Sequence, residues 1–179
     1  MTSNLEELYK QAIDHRNAHD CSAYPYEDYQ KLFDIIAKYQ PKKILEVGTG
    51  IGFTAAVMAL ASPEACIETI EKDQAHSKYA EKFIHEQNLS DRIIVRNEIA
   101  ELLLPELEPG YDLIFFDGYQ IHYEFLPHYE RLLKPGSVLI LGNNHLTSKT
   151  SDKFFEELEH SGKWDVLEKF ADTTIAIRK

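Results

Sequence analysis

The stretch Ile44–Thr54, ILEVGTGIGFT, constrains this chain more than any other. Lys43–Val47 is a short apolar run of β-forming residues, followed by glycines at 48, 50 and 52 and then by an Ala-rich apolar segment, Phe53–Ala61. That order predicts a buried strand, a tight turn and the first turn of a helix. Glycine is required where the backbone bends sharply and where no side chain can stand between the main chain and a ligand. The helix that follows points its free N–H groups and the positive end of its dipole into the same space. A nucleotide-like ligand lying across the bend is the expectation. Spacing excludes two commoner glycine motifs. A P-loop ends in Gly-Lys-Ser/Thr, and Gly52-Phe53-Thr54 has no lysine. A dinucleotide fingerprint counted from Gly48 needs a small residue at 53, where this chain has Phe53.

The rest of the chain alternates helix and strand signals. A first helix, capped by Ser3 or Asn4, carries Leu5, Leu8, Ala12 and Ile13 on one face and fades into the polar stretch Asn17–Pro25. His15 and His19 stand four apart and read as a solvated helix end rather than a metal pair. Tyr29, Leu32, Phe33, Ile36 and Ala37 form a second helical stripe, which stops at Gln40-Pro41. Beyond the glycines, strands are expected over Ala65–Glu71, Arg92–Arg96, Tyr111–Asp117 and Ser137–Leu141. Helices are expected over Gln74–Asn88, Glu98–Leu104, Ile121–Leu133 and Ser151–Ser161, with a turn at Pro135-Gly136. His122 and His128 then fall on a helix as surface or packing residues. Trp164–Phe170 and Thr173–Arg178 close the chain as a hairpin. Helices between apolar strands imply right-handed crossovers and an α/β, doubly wound, mostly parallel sheet, with the hairpin adding an antiparallel strand near one edge.

Length and charge narrow the function classes. At 179 residues the chain is one domain in size, and a formal net charge of −11 argues against affinity built on phosphate neutralisation, so nucleic acid is an unexpected partner. The first ten residues are polar and acidic, unlike a signal peptide, and no apolar run approaches the ~18 residues of a membrane span. Cys21 and Cys66 lack metal-site spacing and read as reduced thiols of a cytoplasmic protein.

Ligands of open α/β sheets bind beyond the carboxyl ends of the strands, so the strand ends supply the candidate site. They are Glu46-Val47-Gly48 with Thr49, Gly50 and Gly52; Glu71-Lys72; Asn97-Glu98; Asp117-Gly118-Tyr119; and Gly142-Asn143-Asn144-His145. Glu71, nineteen residues past Gly52, is placed to hold a ribose, with a solvated strand end as the alternative. Tyr24, Tyr26 and Tyr29 are candidates to cover a ligand or to pack.

Glu46-x-Gly48-x-Gly50-x-Gly52 resembles the first motif of the class I S-adenosylmethionine-dependent methyltransferases. FFDGYQIHYEF and LLKPGSVLILGNNHL narrow the resemblance to small-molecule O-methyltransferases of the catechol and caffeoyl-CoA type, over about Tyr26 to Arg178. The resemblance implies a Rossmann-like seven-stranded sheet, a methyltransferase domain over 26–179 behind an N-terminal helix and linker over 1–25, and often a homodimer. It implies S-adenosylmethionine on Glu46, Gly48, Thr49, Gly50, Gly52, Glu71, Lys72, Glu98, Asp117, Gly118 and Tyr119. Two departures stand out. The family holds a divalent cation on the Asp matching Asp117 and on an Asp-Asn pair, which here reads Gly142-Asn143. Mg²⁺ needs oxygen ligands that include a carboxylate or two, so the ligand set is incomplete and no metal residue is assigned. The family's lysine, a proton acceptor, is Gln120. Asp117 and His145 remain the catalytic candidates. Three readings stay open: methylation of a small hydroxylated acceptor, methylation of a macromolecule such as tRNA or protein, and binding of the cofactor without catalysis.

Overall fold

The structure, a computed structural model, describes residues 2–19, 21 and 23–179. In chain order the described residues form α1 (Thr2–His19), α2 (Tyr29–Tyr39), β1 (Lys43–Val47), α3 (Phe53–Ala61), β2 (Cys66–Glu71), α4 (Gln74–Glu86), β3 (Ile93–Asn97) and α5 (Ala100–Leu103). There follow β4 (Tyr111–Phe116), α6 (Phe125–Leu132), β5 (Leu133–Leu141), α7 (Lys149–His160), β6 (Trp164–Phe170) and β7 (Thr173–Arg178). The strands make one sheet of order β3-β2-β1-β4-β5-β7-β6. Pairing is parallel from β3 through β5, and β7 runs antiparallel to both of its neighbours. The expected doubly wound sheet with an antiparallel strand near the edge is therefore present, and its strand order reverses beside β1.

Side chains alternate across a strand, so the central strands feed two cores. Ile44, Ile67, Leu113, Phe115 and Val138 pack with α1 to α4, and Leu5, Leu8 and Ala12 of α1 are buried in that same core. Leu45, Val47, Ile70, Ile114 and Leu139 face the other layer, with Tyr129 of α6 and Phe154 of α7. Four helices differ at their starts from the pattern, α5 beginning at Ala100 rather than Glu98 and α7 at Lys149 rather than Ser151. α1 begins at Thr2, ahead of Asn4, and the alternative Ser3 cap is a side chain outside the described residues. α6 begins at Phe125 rather than Ile121, and ahead of it the backbone N–H of Tyr123 donates to Thr150 Oγ1 (2.9 Å) of α7. His122 thus precedes the helix and lines a cleft. The expected turn at Pro135-Gly136 lies within β5, where pairing to β4 shifts register between Tyr111 and Leu113.

Candidate active site

A cleft of about 920 Å³ opens at the carboxyl ends of β1, β2, β4 and β5, at the reversal in strand order. One wall is the glycine bend. Gly48 leaves β1 with φ +97°, and a Cβ there would stand 2.7 Å from the carbonyl carbon and oxygen of Asp117 and 2.8 Å from Gly118 N. Only a residue without a side chain allows β4 to pass that close. Glu71, 8% exposed at the end of β2, braces the bend: Oε2 accepts from Gly50 N–H (2.9 Å) and Oε1 from Asp73 N–H (2.8 Å). Each oxygen keeps a further lone pair for a ligand hydroxyl. Asp73 caps α4 by accepting from Ala75 N–H (2.8 Å) and His76 N–H (2.9 Å), which fixes where Lys72 and His76 meet the cleft.

The structure brings Gly48, Thr49, Gly50, Glu71, Lys72, Glu98, Asp117, Gly118, Tyr119 and His145 to this one cleft. Glu46 and Gly52 stand behind it. Glu46 shares the face of Ile44, so its carboxyl turns under α3, is fully buried, and accepts from Thr54 Oγ1 and Thr69 Oγ1 at 2.5 Å each. Thr69 in turn pairs with Thr49 Oγ1 (2.6 Å). Burial pushes the Glu46 carboxyl up to about 7, against the pull of the two hydroxyls. Gly52 lets α3 approach α4, since a Cβ there would lie 3.2 Å from Ile84. Glu98 accepts from the adjacent Ile99 N–H (2.9 Å), and Tyr119 is 79% exposed at the rim.

The opposite wall is built from the turns after β4 and β5 and from the β6–β7 hairpin. Asn143, left-handed at φ +58°, donates through Nδ2 to Asp117 Oδ1 (3.3 Å) and Gly118 O (2.9 Å). Burial pushes the Asp117 carboxyl well above the ordinary carboxylate range; the Glu46 carboxyl adds to this and the Asn143 amide opposes it. His145 Nδ1 lies 3.1 Å from Asp172 Oδ2, a residue sequence reasoning missed. Asn144 N–H donates to Asp172 O (3.0 Å) and Asn144 Nδ2 to Thr174 Oγ1 (2.8 Å), which fixes the hairpin beside the turn. Gln120 Nε2 donates to Leu146 O (3.2 Å). Tyr26, from the segment ahead of α2, joins its hydroxyl to Thr173 Oγ1 (2.6 Å) at the same end. A carboxylate-held imidazole nitrogen leaves the other ring nitrogen free to accept a proton.

The model of the O-methyltransferase family matches residues 2–162. The chain belongs to the O-methyltransferase family. It is 32% identical over 130 residues to a catechol O-methyltransferase of Niastella koreensis, a match covering 69% of this chain and 59% of that relative's length. An O-methyltransferase of Bacillus cereus solved in complex with SAH has the same fold (TM-score 0.82, 23% identity, 99% of this chain and 91% of that one). So does the O-methyltransferase TomG of Streptomyces achromogenes, solved with SAM (TM-score 0.81, 19% identity, 97% and 90% covered). In this O-methyltransferase-family chain the β4–β5 donor set does not suit a hard divalent cation. A Cβ on Gly142 would stand 3.4 Å from Asp117 Oδ1, so the second carboxylate's place holds only hydrogen, and the Asn143 amide donates toward Asp117. Among the described residues no helix is long and apolar enough to cross a membrane.

Proposed function

We propose that this chain transfers a methyl group from S-adenosylmethionine to a hydroxyl of a small acceptor, with His145 as general base and without a divalent cation at Asp117. The carrying observation is that the Glu71–glycine cradle and the His145–Asp172 pair line opposite walls of one cleft. Its volume of about 920 Å³ is at the upper end of the roughly 300–1,000 Å³ usual for small-ligand sites, room for a nucleoside and an acceptor together.

Gly48, Thr49 and Gly50 would approach the amino-acid part of the cofactor through their backbone, and Glu71 would accept from its ribose hydroxyls. Lys72, Glu98, Gly118 and Tyr119 would border the rest. Glu46 and Gly52 act from behind, holding β1, β2, α3 and α4 in register so that the bend keeps its shape. When bound, S-adenosylmethionine supplies a methyl group already activated by its sulfonium, so alignment of the acceptor is the protein's main task. Asp117, whose buried carboxyl favours the protonated form, donates a hydrogen bond that orients the acceptor. His145 takes the acceptor's hydroxyl proton, and Asp172 holds the imidazole in its orientation. Gln120 has no base function, and its amide serves the Leu146 carbonyl.

The test is methyl transfer from labelled cofactor to a panel of catechols, with Mg²⁺ and with chelator, in the natural chain and in His145→Ala. Turnover is expected to survive chelation and to fall by ~10²–10⁴ in the variant, the usual worth of a positioned base, while calorimetry shows SAH binding unchanged. Full activity of His145→Ala, or loss of turnover on chelation, overturns the mechanism. Intact SAH binding with no turnover on any hydroxylated compound would favour a non-catalytic binding protein.

A further inference from the structure

At the edge of the cleft, beside the glycine bend, a group of ligating side chains joins α1 to α4. One ring nitrogen of His15, one of His76 and the sulfur of Cys21 all lie within 4.8 Å of one another. His15 Nδ1 is buried and, among the described residues, has no hydrogen-bond partner. The His15 ring is held edge-on by Tyr79 (centroids 4.0 Å apart) and flanked by His19 (4.6 Å). A buried imidazole nitrogen without a partner loses its hydration for nothing in return, unless something else fills its lone pair. From these residues the geometry points to a zinc site formed by His15, Cys21 and His76, with a fourth position left for water or a further ligand.

The donor types select the metal. Two imidazoles and a thiolate form a borderline-soft set, which suits Zn²⁺ and disfavours Mg²⁺ and Ca²⁺. Bond lengths of ~2.0–2.3 Å put tetrahedral ligand atoms about 3.3–3.7 Å apart, so closing the site asks for side-chain shifts of about 1 Å. Sequence spacing hides the site because His15 and Cys21 are six apart and His76 arrives only when α4 packs beside α1.

The location gives the ion a task. Cys21 leads into Ala23–Asp28, which supplies part of the cleft wall, and His76 lines the cleft directly. Ala23 lies 3.6 Å from where a Cβ on Gly50 would stand. Zinc bridging Cys21 and His76 would therefore latch that entry segment to α4 next to the glycine bend.

Calorimetric titration of Zn²⁺ into the metal-stripped full chain, with a non-thiol reductant, tests the site, and the Co²⁺ form reports the ligands through its thiolate charge-transfer band. One equivalent of Zn²⁺ is expected to bind. Cys21→Ser should abolish the Co²⁺ band, and both it and His76→Ala should weaken Zn²⁺ binding by more than the ~10–100-fold that loss of an outer-shell partner costs. Cys66→Ser, which removes the chain's other thiol, should change neither. Circular dichroism checks that each variant is folded. The absence of saturable Zn²⁺ binding at micromolar concentration overturns the site, as does binding that Cys21→Ser and His76→Ala leave undiminished.

Discussion

Replacing Glu46 by Gln tests whether a carboxyl group behind the cleft sets the pH response of the fold. Glu46 is fully buried, and its pKa rises from an ordinary 4.5 to about 7. The folded chain therefore holds this proton more tightly than the unfolded chain. The resulting stability is complete below the unfolded value, declines as pH rises, and is lost above the folded one. A gap of about two and a half pH units at ~1.4 kcal/mol each amounts to roughly 3 kcal/mol. That is a large share of the ~5–15 kcal/mol that holds a typical domain together. Glutamine cannot ionise, yet its amide can accept from Thr54 Oγ1 and donate to Thr69 Oγ1, whose hydroxyl still reaches Thr49. Urea unfolding followed by the fluorescence of Trp164, the one tryptophan and a buried one, reports stability at each pH. The Glu46→Gln protein should gain on the natural chain by roughly 3 kcal/mol between about pH 4 and pH 8. Asp117 gives a slope of the same sign in both proteins, and only the part of its shift that comes from the Glu46 charge stays in the difference. A difference that stays flat across this range would refute the assignment of the slope to Glu46.

Glu71→Ala removes the acceptor for Gly50 N–H and Asp73 N–H, so SAH affinity should fall about 10–100-fold by calorimetry, the worth of one or two hydrogen bonds to a charged group; an unchanged Kd refutes the cradle. Gly48→Ala drives a Cβ to 2.7 Å from the Asp117 backbone and should cost at least ~2 kcal/mol in urea unfolding. Gly136→Ala, also at positive φ but with nothing within 4 Å of the new Cβ, should cost about half of that through backbone strain alone. Gly142→Asp would set a second carboxylate beside Asp117; Mg²⁺ should then raise its Tm while leaving the natural chain unmoved, and equal responses would argue against the donor-set reading.

The parts legible in sequence are those fixed by short-range rules. Gly48 to Gly52, the apolar strands and the carboxylate at the end of β2 all follow from local pattern, and the reversal in strand order placed the cleft. Glu46 looked like a ligand because it precedes the glycines, but the two-residue period of β1 turns it into the interior with Ile44. The segment ahead of α6 is tied by its Tyr123 N–H to Thr150, a residue of another helix that no local pattern names. Asp172 lacked any local signal. It reaches His145 only because β7 lies antiparallel beside β5, a pairing across 27 positions that no periodicity encodes. Cys21 and His76 were uninformative apart and acquire meaning only through the packing of α1 on the body.

The two sides of the cleft are braced by different side chains and meet where Gly48 packs on Asp117. The glycine side is tied through Glu71 and Glu46 into the sheet itself, whereas the far side rests on turns beyond the strands, linked by side chains such as Asn143, Gln120 and Asp172. Mutations that reshape the far turns need not disturb the parallel strands, so preference for one acceptor over another can drift or be re-engineered while the donor end of the machine keeps its geometry.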